Sequence, residues 1–118
     1  MLLYHGTSME AAKSILSKQS FDLTKCGEGW GSTYGDGIYL TPNLEDAKMY
    51  GEKVLKISCN INPYRLEKRY SPTDRRHKKQ IRRLIINCIK EGDFDSLISV
   101  DGDEYILFEP EKSILKIE

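Results

Sequence analysis

Apolar residues recur along this chain in two rhythms, one of period two and one of helical spacing, and the switches between them mark the elements. Leu2-Leu3-Tyr4 is a short apolar run that predicts a strand broken at Gly6. Thr7-Ser8-Met9-Glu10 fits a capping box, with Thr7 at the N-cap and Glu10 three residues on. Met9, Ala12, Ile15 and Leu16 then follow at helical spacing, which predicts a helix to about Lys18. Between Gly27 and Gly37 stand five glycines, a loop whose backbone can approach a ligand or turn with positive φ. Gly37-Ile38-Tyr39-Leu40-Thr41 is a β-type run ended by Pro42. Asn43 can cap a short helix with Glu45 and Asp46 in its first turn, an inner face of Leu44, Ala47 and Met49 or Tyr50, and Gly51 at C′.

Residues 54–61 alternate, with Ile57, Cys59 and Ile61 on one side, and read as a half-buried strand that Asn62-Pro63 stops. Residues 64–73 are polar and irregular. Ser71-Pro72-Thr73-Asp74 opens the longest helix with Pro at its first position. Its apolar stripe is Ile81, Leu84, Ile85, Cys88 and Ile89, and Gly92 ends it. Residues 97–100, 105–108 and 114–117 are short β-type runs. Short strands, small helices and strands again predict an α+β fold, and residues 1–118 make one small domain.

Composition narrows the class. A chain of 118 residues can bury a core without disulfides or metals, and 31% charged against 39% hydrophobic residues marks it as globular. No apolar run approaches the ~20 residues that span a bilayer, and the start has neither a basic region nor a long apolar stretch. The expectation is a cytoplasmic protein, not bound to membrane. Cys26, Cys59 and Cys88 are odd in number and widely spaced, so they predict reduced thiols, with Cys59 and Cys88 as small core hydrophobes. His5 and His77 stand far apart without cysteine partners, which predicts no metal site.

The formal net charge is zero, but the charges are segregated. Residues 63–90 carry 10 basic and 2 acidic side chains, and residues 91–118 carry 2 basic and 9 acidic ones. The basic block peaks over residues 75–83. It fits an electrostatic footprint for nucleic acid or another polyanion. It also fits a solvated helix face partly neutralised by the acidic C-terminal block, the default for a charge run and the preferred reading.

A few positions invite chemistry, and each has a plain structural reading beside it. His5 sits where a strand meets a Gly-Thr turn and can face a cleft; alone, it reads as a satisfied structural histidine. His77 lies in the basic run and reads as surface. Tyr39 and Tyr50 can face one slot across a strand-turn-helix unit and stack on an aromatic ligand, or they are ordinary packing. Glu104 heads an apolar strand, as a cleft carboxylate or as a gatekeeper charge.

Taken in order, Tyr4-His5-Gly6-Thr7, then residues 35–41 ending in Ile38-Tyr39-Leu40-Thr41, then Tyr50, then Glu104-Tyr105-Ile106-Leu107-Phe108 form a pattern. It resembles the His-Tyr-Glu class of ADP-ribosyltransferases, which includes the poly(ADP-ribose) polymerases and the diphtheria-type toxins. The resemblance spans nearly the whole chain. Poly(ADP-ribose) polymerases usually carry a serine three residues before the second tyrosine; Ala47 stands there, which looks more like the toxin branch.

The resemblance implies a split pair of small β-sheets with short helices and NAD, as co-substrate, in the cleft between them. It implies that His5 binds the adenosine-side ribose and that the Gly6 backbone pairs with the nicotinamide carboxamide. Tyr39 and Tyr50 would stack on the ring, Thr7 and Ala47 would belong to the same NAD site, and Glu104 would hold the nicotinamide ribose. Glu104, His5 and Tyr39 are the implied catalytic set. The activity implied is transfer of ADP-ribose, as single units, to a protein or nucleic-acid acceptor. Hydrolysis of NAD, or a nucleic-acid-binding module built on the basic helix 74–91, are the alternatives.

Overall fold

The computed structural model describes residues 1–21, 38–70 and 74–118; the expectations for the glycine-rich segment, Cys26 and Pro72 lie outside them. In chain order the described elements are β1 (Leu2–Thr7), α1 (Met9–Lys18), β2 (Ile38–Leu40), α2 (Leu44–Lys48), β3 (Lys53–Cys59), β4 (Pro63–Arg65), α3 (Arg75–Glu91), β5 (Ser96–Ile98), β6 (Tyr105–Leu107), α4 (Pro110–Ser113) and β7 (Ile114–Ile117). They form an α+β domain of two sheets with strand orders β1-β3-β7 and β2-β6-β5-β4. All strand pairs are antiparallel except β4 with β5.

Two apolar clusters hold the layers. The first joins Leu3, Leu55, Ile57, Cys59 and Ile117 of the three-stranded sheet to Ile38, Leu40 and Leu107 of the other, with Ala12 and Ile15 of α1 closing it. The second lies on the opposite face of the four-stranded sheet, where Leu97 and Ile106 meet Leu66, just after β4, and Ile81 of α3. Each fully buried aliphatic side chain of this kind stabilises by ~1.5–3 kcal/mol over its exposed state. Cys59 and Cys88 are buried free thiols, and burial pushes both thiol pKa values up, which keeps them as inert thiols.

Several boundaries differ from the sequence expectation. β1 does not break at Gly6: all six of its residues pair with β3, through Thr7↔Lys53. The N-cap of α1 is therefore Ser8, whose Oγ accepts the Ala11 N–H at 3.2 Å, while Thr7 stays in the strand. α1 ends on Gln19 in the left-handed region (φ 53°). There the Gln19 amide donates to Ile117 O and accepts from Ile117 N, both at 3.0 Å, binding the helix end to β7. In α2 only Ala47 is buried; Leu44, Met49 and Tyr50 are exposed, because a five-residue helix has one turn to bury.

β4 was hidden in the polar stretch after Pro63. It pairs parallel to β5 at the sheet edge, where a proline at the first position costs no ladder bond. α3 starts at Arg75, after the Asp74 cap accepts the Arg76 N–H at 2.8 Å, and stops at Gly92 with φ 73°. Ile81 and Cys88 of its stripe are buried, Leu84 and Ile85 are half-buried, and Ile89 is exposed. His77, expected at the surface, is half-buried: its ring is edge-on to Tyr70, 5.3 Å between centroids, and sits 3.9 Å from the Asp74 carboxylate. No helix among the described residues is long and apolar enough to cross a membrane.

Candidate functional site

The two sheets touch edge to edge at one point. Tyr4 N donates to Thr41 O at 2.7 Å and Thr41 N to Tyr4 O at 2.9 Å, an isolated antiparallel bridge between β1 and the end of β2. Had the ladder continued, the Gly6 N–H would have been next in line for Tyr39 O. Instead the His5 ring takes that place, with Nδ1 2.9 Å from Tyr39 O. A carbonyl can only accept, so Nδ1 carries the proton and Nε2 is left as the acceptor. His5 is also edge-on to Phe21, with centroids 5.0 Å apart. Burial lowers its pKa, outweighing the Tyr39 bond that would raise it, and so favours the neutral ring.

The bridge fixes where Gly6 points. Both backbone groups of Tyr4 are turned away from β3, and in an antiparallel strand alternate residues share that direction. The N–H and C=O of Gly6 therefore face outward, toward the β2 side, beyond the point where the sheets part. The pair is flanked by the loop after α2. A β-carbon on Gly6 would collide with the Ala47 carbonyl and lie 3.1 Å from Tyr50 Cβ. One on Gly51 would collide with the Thr7 backbone. These two glycines let the α2 corner sit directly on β1, and Gly51 serves that close approach rather than a C′ turn, since the helix ends on Met49. Ala47 is fully buried at this contact, and the Tyr50 side chain stands out, 56% exposed.

Glu104 enters from the second sheet. Tyr39 is opposite Ile106, and Glu104 lies two residues before Ile106, so Tyr39 and Glu104 share one face. The Tyr39 ring packs at the edge of the second apolar cluster on that face. Burial raises the pKa of Glu104, and the neighbouring Asp103 charge raises it further. The Tyr50 phenol is raised first by burial and then by the carboxylates of Glu104, Asp46 and Asp103, which places Tyr50 within the field of Glu104. Thus Ala47 and Tyr50 crowd Gly6, the Glu104 charge adds to the burial that raises the Tyr50 phenol, and His5 is bonded to Tyr39. His77 is remote from this group, beside Tyr70.

Two residues here escaped the sequence reading, Ser99 and Arg65. The Ser99 hydroxyl accepts the Glu104 N–H at 3.1 Å and donates to Asp103 Oδ1 at 2.8 Å, and Ser99 N donates to Glu104 O at 2.9 Å. Ser99 is buried, and it ties the turn that carries Glu104. Arg65 backs the same turn from β4, with Nη1 3.4 Å from Ser99 O and 3.3 Å from Val100 O. The signal was available: Asp101-Gly102 between two apolar runs marks a hairpin, and Gly102 has φ 78°. Among the described residues no group of three His, Cys, Asp or Glu side chains could hold a metal ion. No protein-family model matches the chain, and neither does any curated protein.

Proposed function

We propose that this protein is an NAD-dependent ADP-ribosyltransferase that moves single ADP-ribose units to a macromolecular acceptor. The observation that carries the reading is the outward N–H and C=O pair of Gly6, flanked by Tyr50 with Glu104 in its field. A primary carboxamide presents one donor and one acceptor side by side, the complement of that backbone pair. The Tyr50 and Tyr39 rings supply π-faces for the attached pyridinium, which as a cation is favoured against them. His5, neutral and with Nε2 open as an acceptor, takes a ribose hydroxyl of the adenosine half. Ala47 contributes its buried contact with Gly6, and Thr7 the strand end that follows.

The chemistry follows from charge. Nicotinamide departs neutral from a cationic parent, and the ribosyl carbon left behind develops oxocarbenium character, as in glycoside cleavage. A carboxylate fixed beside that carbon stabilises the transition state more than the ground state. Glu104 is that group: anchored through its backbone by Ser99, and partly desolvated so that its field is strong. It also accepts from the 2′-hydroxyl of the nicotinamide ribose and so holds the reacting carbon in place. Asp103, bonded to Ser99, tunes Glu104 from one residue away.

Incubation with NAD labelled in its adenylate half tests the reading. Free nicotinamide together with label on a macromolecule is the expected result. Nicotinamide with only free ADP-ribose would make the protein a glycohydrolase built on the same residues. No nicotinamide release under any acceptor supplied would overturn NAD chemistry at this site.

A further inference from the structure

The four-stranded sheet has a second feature on the face that carries Tyr39. Its register aligns Tyr39 with Ile106, Ile106 with Leu97, and Leu97 with Tyr64, so these four form one row across the sheet. Three strand spacings separate the ends, about 14 Å. At the far end, Tyr64 lines an open groove of about 450 Å³ between α3 and the segment that follows β4. Tyr70 and Lys68 wall one side, with the Lys68 ammonium 5.3 Å from the Tyr70 ring centre. Gln80, Arg83 and Asn87 wall the other, on one stripe of α3. A single carboxylate, Glu67, also borders it.

The helix above is a strong cation. α3 carries seven Lys and Arg side chains against Glu91 alone, and all seven are exposed. Among the described residues Arg75, Lys78, Lys79, Arg82, Arg83 and Lys90 make no ion pair, and the pair crossing from the basic to the acidic block is Arg69–Asp101, off the helix. Among the described residues, no direct ion pair joins the acidic C-terminal segment to α3. Unpaired cations, tyrosine faces and side-chain amides together match phosphates, bases and base edges. Tyrosine faces can stack on bases only where those bases are unpaired and splayed out, so this lining suits a single strand.

We propose that this groove docks single-stranded nucleic acid and that the docked strand is the acceptor. This rests on the transferase reading above. The row gives the straight-line separation only: Leu97 and Ile106 are buried beneath Leu66 and Ile81, so a strand lying against Tyr64 and Arg83 reaches the Tyr39 end of the sheet by passing outside that cluster, a path longer than the roughly 14 Å of the row. In the transfer, a base or terminal heteroatom forms a bond to the ribose anomeric carbon. The bond to nicotinamide nitrogen breaks with its electron pair going to the ring, and the acceptor's proton is lost to solvent.

The test titrates the full chain into a fluorescent single-stranded RNA of about twelve nucleotides, and its DNA counterpart, across a salt series without NAD. Binding is expected at low salt, with log K falling by about 0.7 per phosphate neutralised for each decade of salt. The double variant Lys68→Gln/Arg83→Gln should flatten that slope by about 1.4 and leave nicotinamide release from NAD alone unchanged. Absence of binding at low salt overturns the proposal. So does a double variant that binds as tightly as the unaltered chain, or NAD label that enters added protein while the RNA stays unlabelled. Nicotinamide release measured without RNA separates the two readings. Release with no RNA binding sinks the groove alone, and RNA binding with no release removes the acceptor role and leaves the docking site standing.

Discussion

Gly6 and Ala47 touch backbone to backbone. A β-carbon on Gly6 would strike the Ala47 carbonyl, with its carbon at 3.0 Å, and Tyr50 Cβ at 3.1 Å. The obstacle is main chain, which cannot rotate out of the way, so Gly6→Ala must push the α2 corner off β1. Overpacking of this kind costs ~1–3 kcal/mol. The variant should unfold at lower denaturant by that amount and lose affinity for benzamide, a nicotinamide mimic. Unchanged stability with unchanged benzamide binding would mean that the contact does not shape the site.

Glu104 trades stability for chemistry. Its carboxyl pKa is raised in the folded chain, first by burial and then by Asp103, so folding disfavours the charged form. The penalty is absent below the ordinary carboxylate range, where both states are protonated, and grows as pH rises through the folded value. Glu104→Gln should therefore raise the melting temperature at neutral pH while lowering nicotinamide release by ~10²–10³. Asp103→Asn should shift the acidic limb of kcat/KM to lower pH, since it removes the second cause of the raised value. A limb that does not move, or a Gln variant of full activity, would take Glu104 out of the reaction.

Ser99 bridges Asp103 and the Glu104 N–H with a single hydroxyl. Ser99→Ala leaves a part-buried N–H and a carboxylate without that partner, at ~1–3 kcal/mol. Because Ser99 acts through Glu104, kcat should fall with KM little changed, and Ser99→Thr should restore part of it. Equal loss in the Thr and Ala variants would point to packing rather than to the hydroxyl.

The fold was legible where one rhythm ran long enough. The alternation through Ile57 and Cys59, the caps Asn43 and Gly92, and the runs 105–108 and 114–117 all appear as elements. β4 was not legible, because a three-residue edge strand, Pro63–Arg65, needs only β5 beside it and carries no alternation of its own. Gly6 and Gly51 read as a break and a cap because a glycine's local uses are visible in sequence, whereas a close approach by a distant backbone is not. The candidate residues His5, Gly6, Tyr39, Ala47, Tyr50 and Glu104 could be chosen from motif order. Their supports, Ser99 and Arg65, act through bonds spanning from 5 to 35 positions, which no local pattern displays.

Tyr50 is the most accessible of the candidate side chains. Tyr50→Ala should weaken benzamide binding by ~1–3 kcal/mol, on the scale of base–aromatic stacking, and Tyr50→Phe should change it little because the ring face does the binding. The Phe variant also removes the phenol whose ionisation Glu104, Asp46 and Asp103 disfavour, so activity should not depend on it at alkaline pH. Identical behaviour of the Ala and Phe variants in a folded protein would rule out stacking. Ala47→Ser tests the alignment beside it: a hydroxyl that improves benzamide affinity sits at the amide, and one that changes nothing does not.

His5 gives the chain a pH dependence of opposite sign to that of Glu104. Burial lowers the His5 pKa, so below about 6.5 the unfolded chain binds a proton that the folded chain resists. The contribution is fully present above that value and is lost as pH falls through it toward the folded pKa, at a rate that cannot exceed ~1.4 kcal/mol per pH unit. His5→Asn keeps an N–H donor near the Nδ1 position, able to bond Tyr39 O, but has nothing to titrate. Its melting temperature should therefore vary less than that of the unaltered chain between neutral pH and about pH 5. The proton that destabilises the fold also occupies Nε2, the acceptor assigned to the adenosine ribose, so NAD affinity should fall over the same window in the unaltered chain. Parallel melting profiles for the two proteins would show that His5 is not the group that titrates, and a flat NAD affinity would detach Nε2 from the ribose.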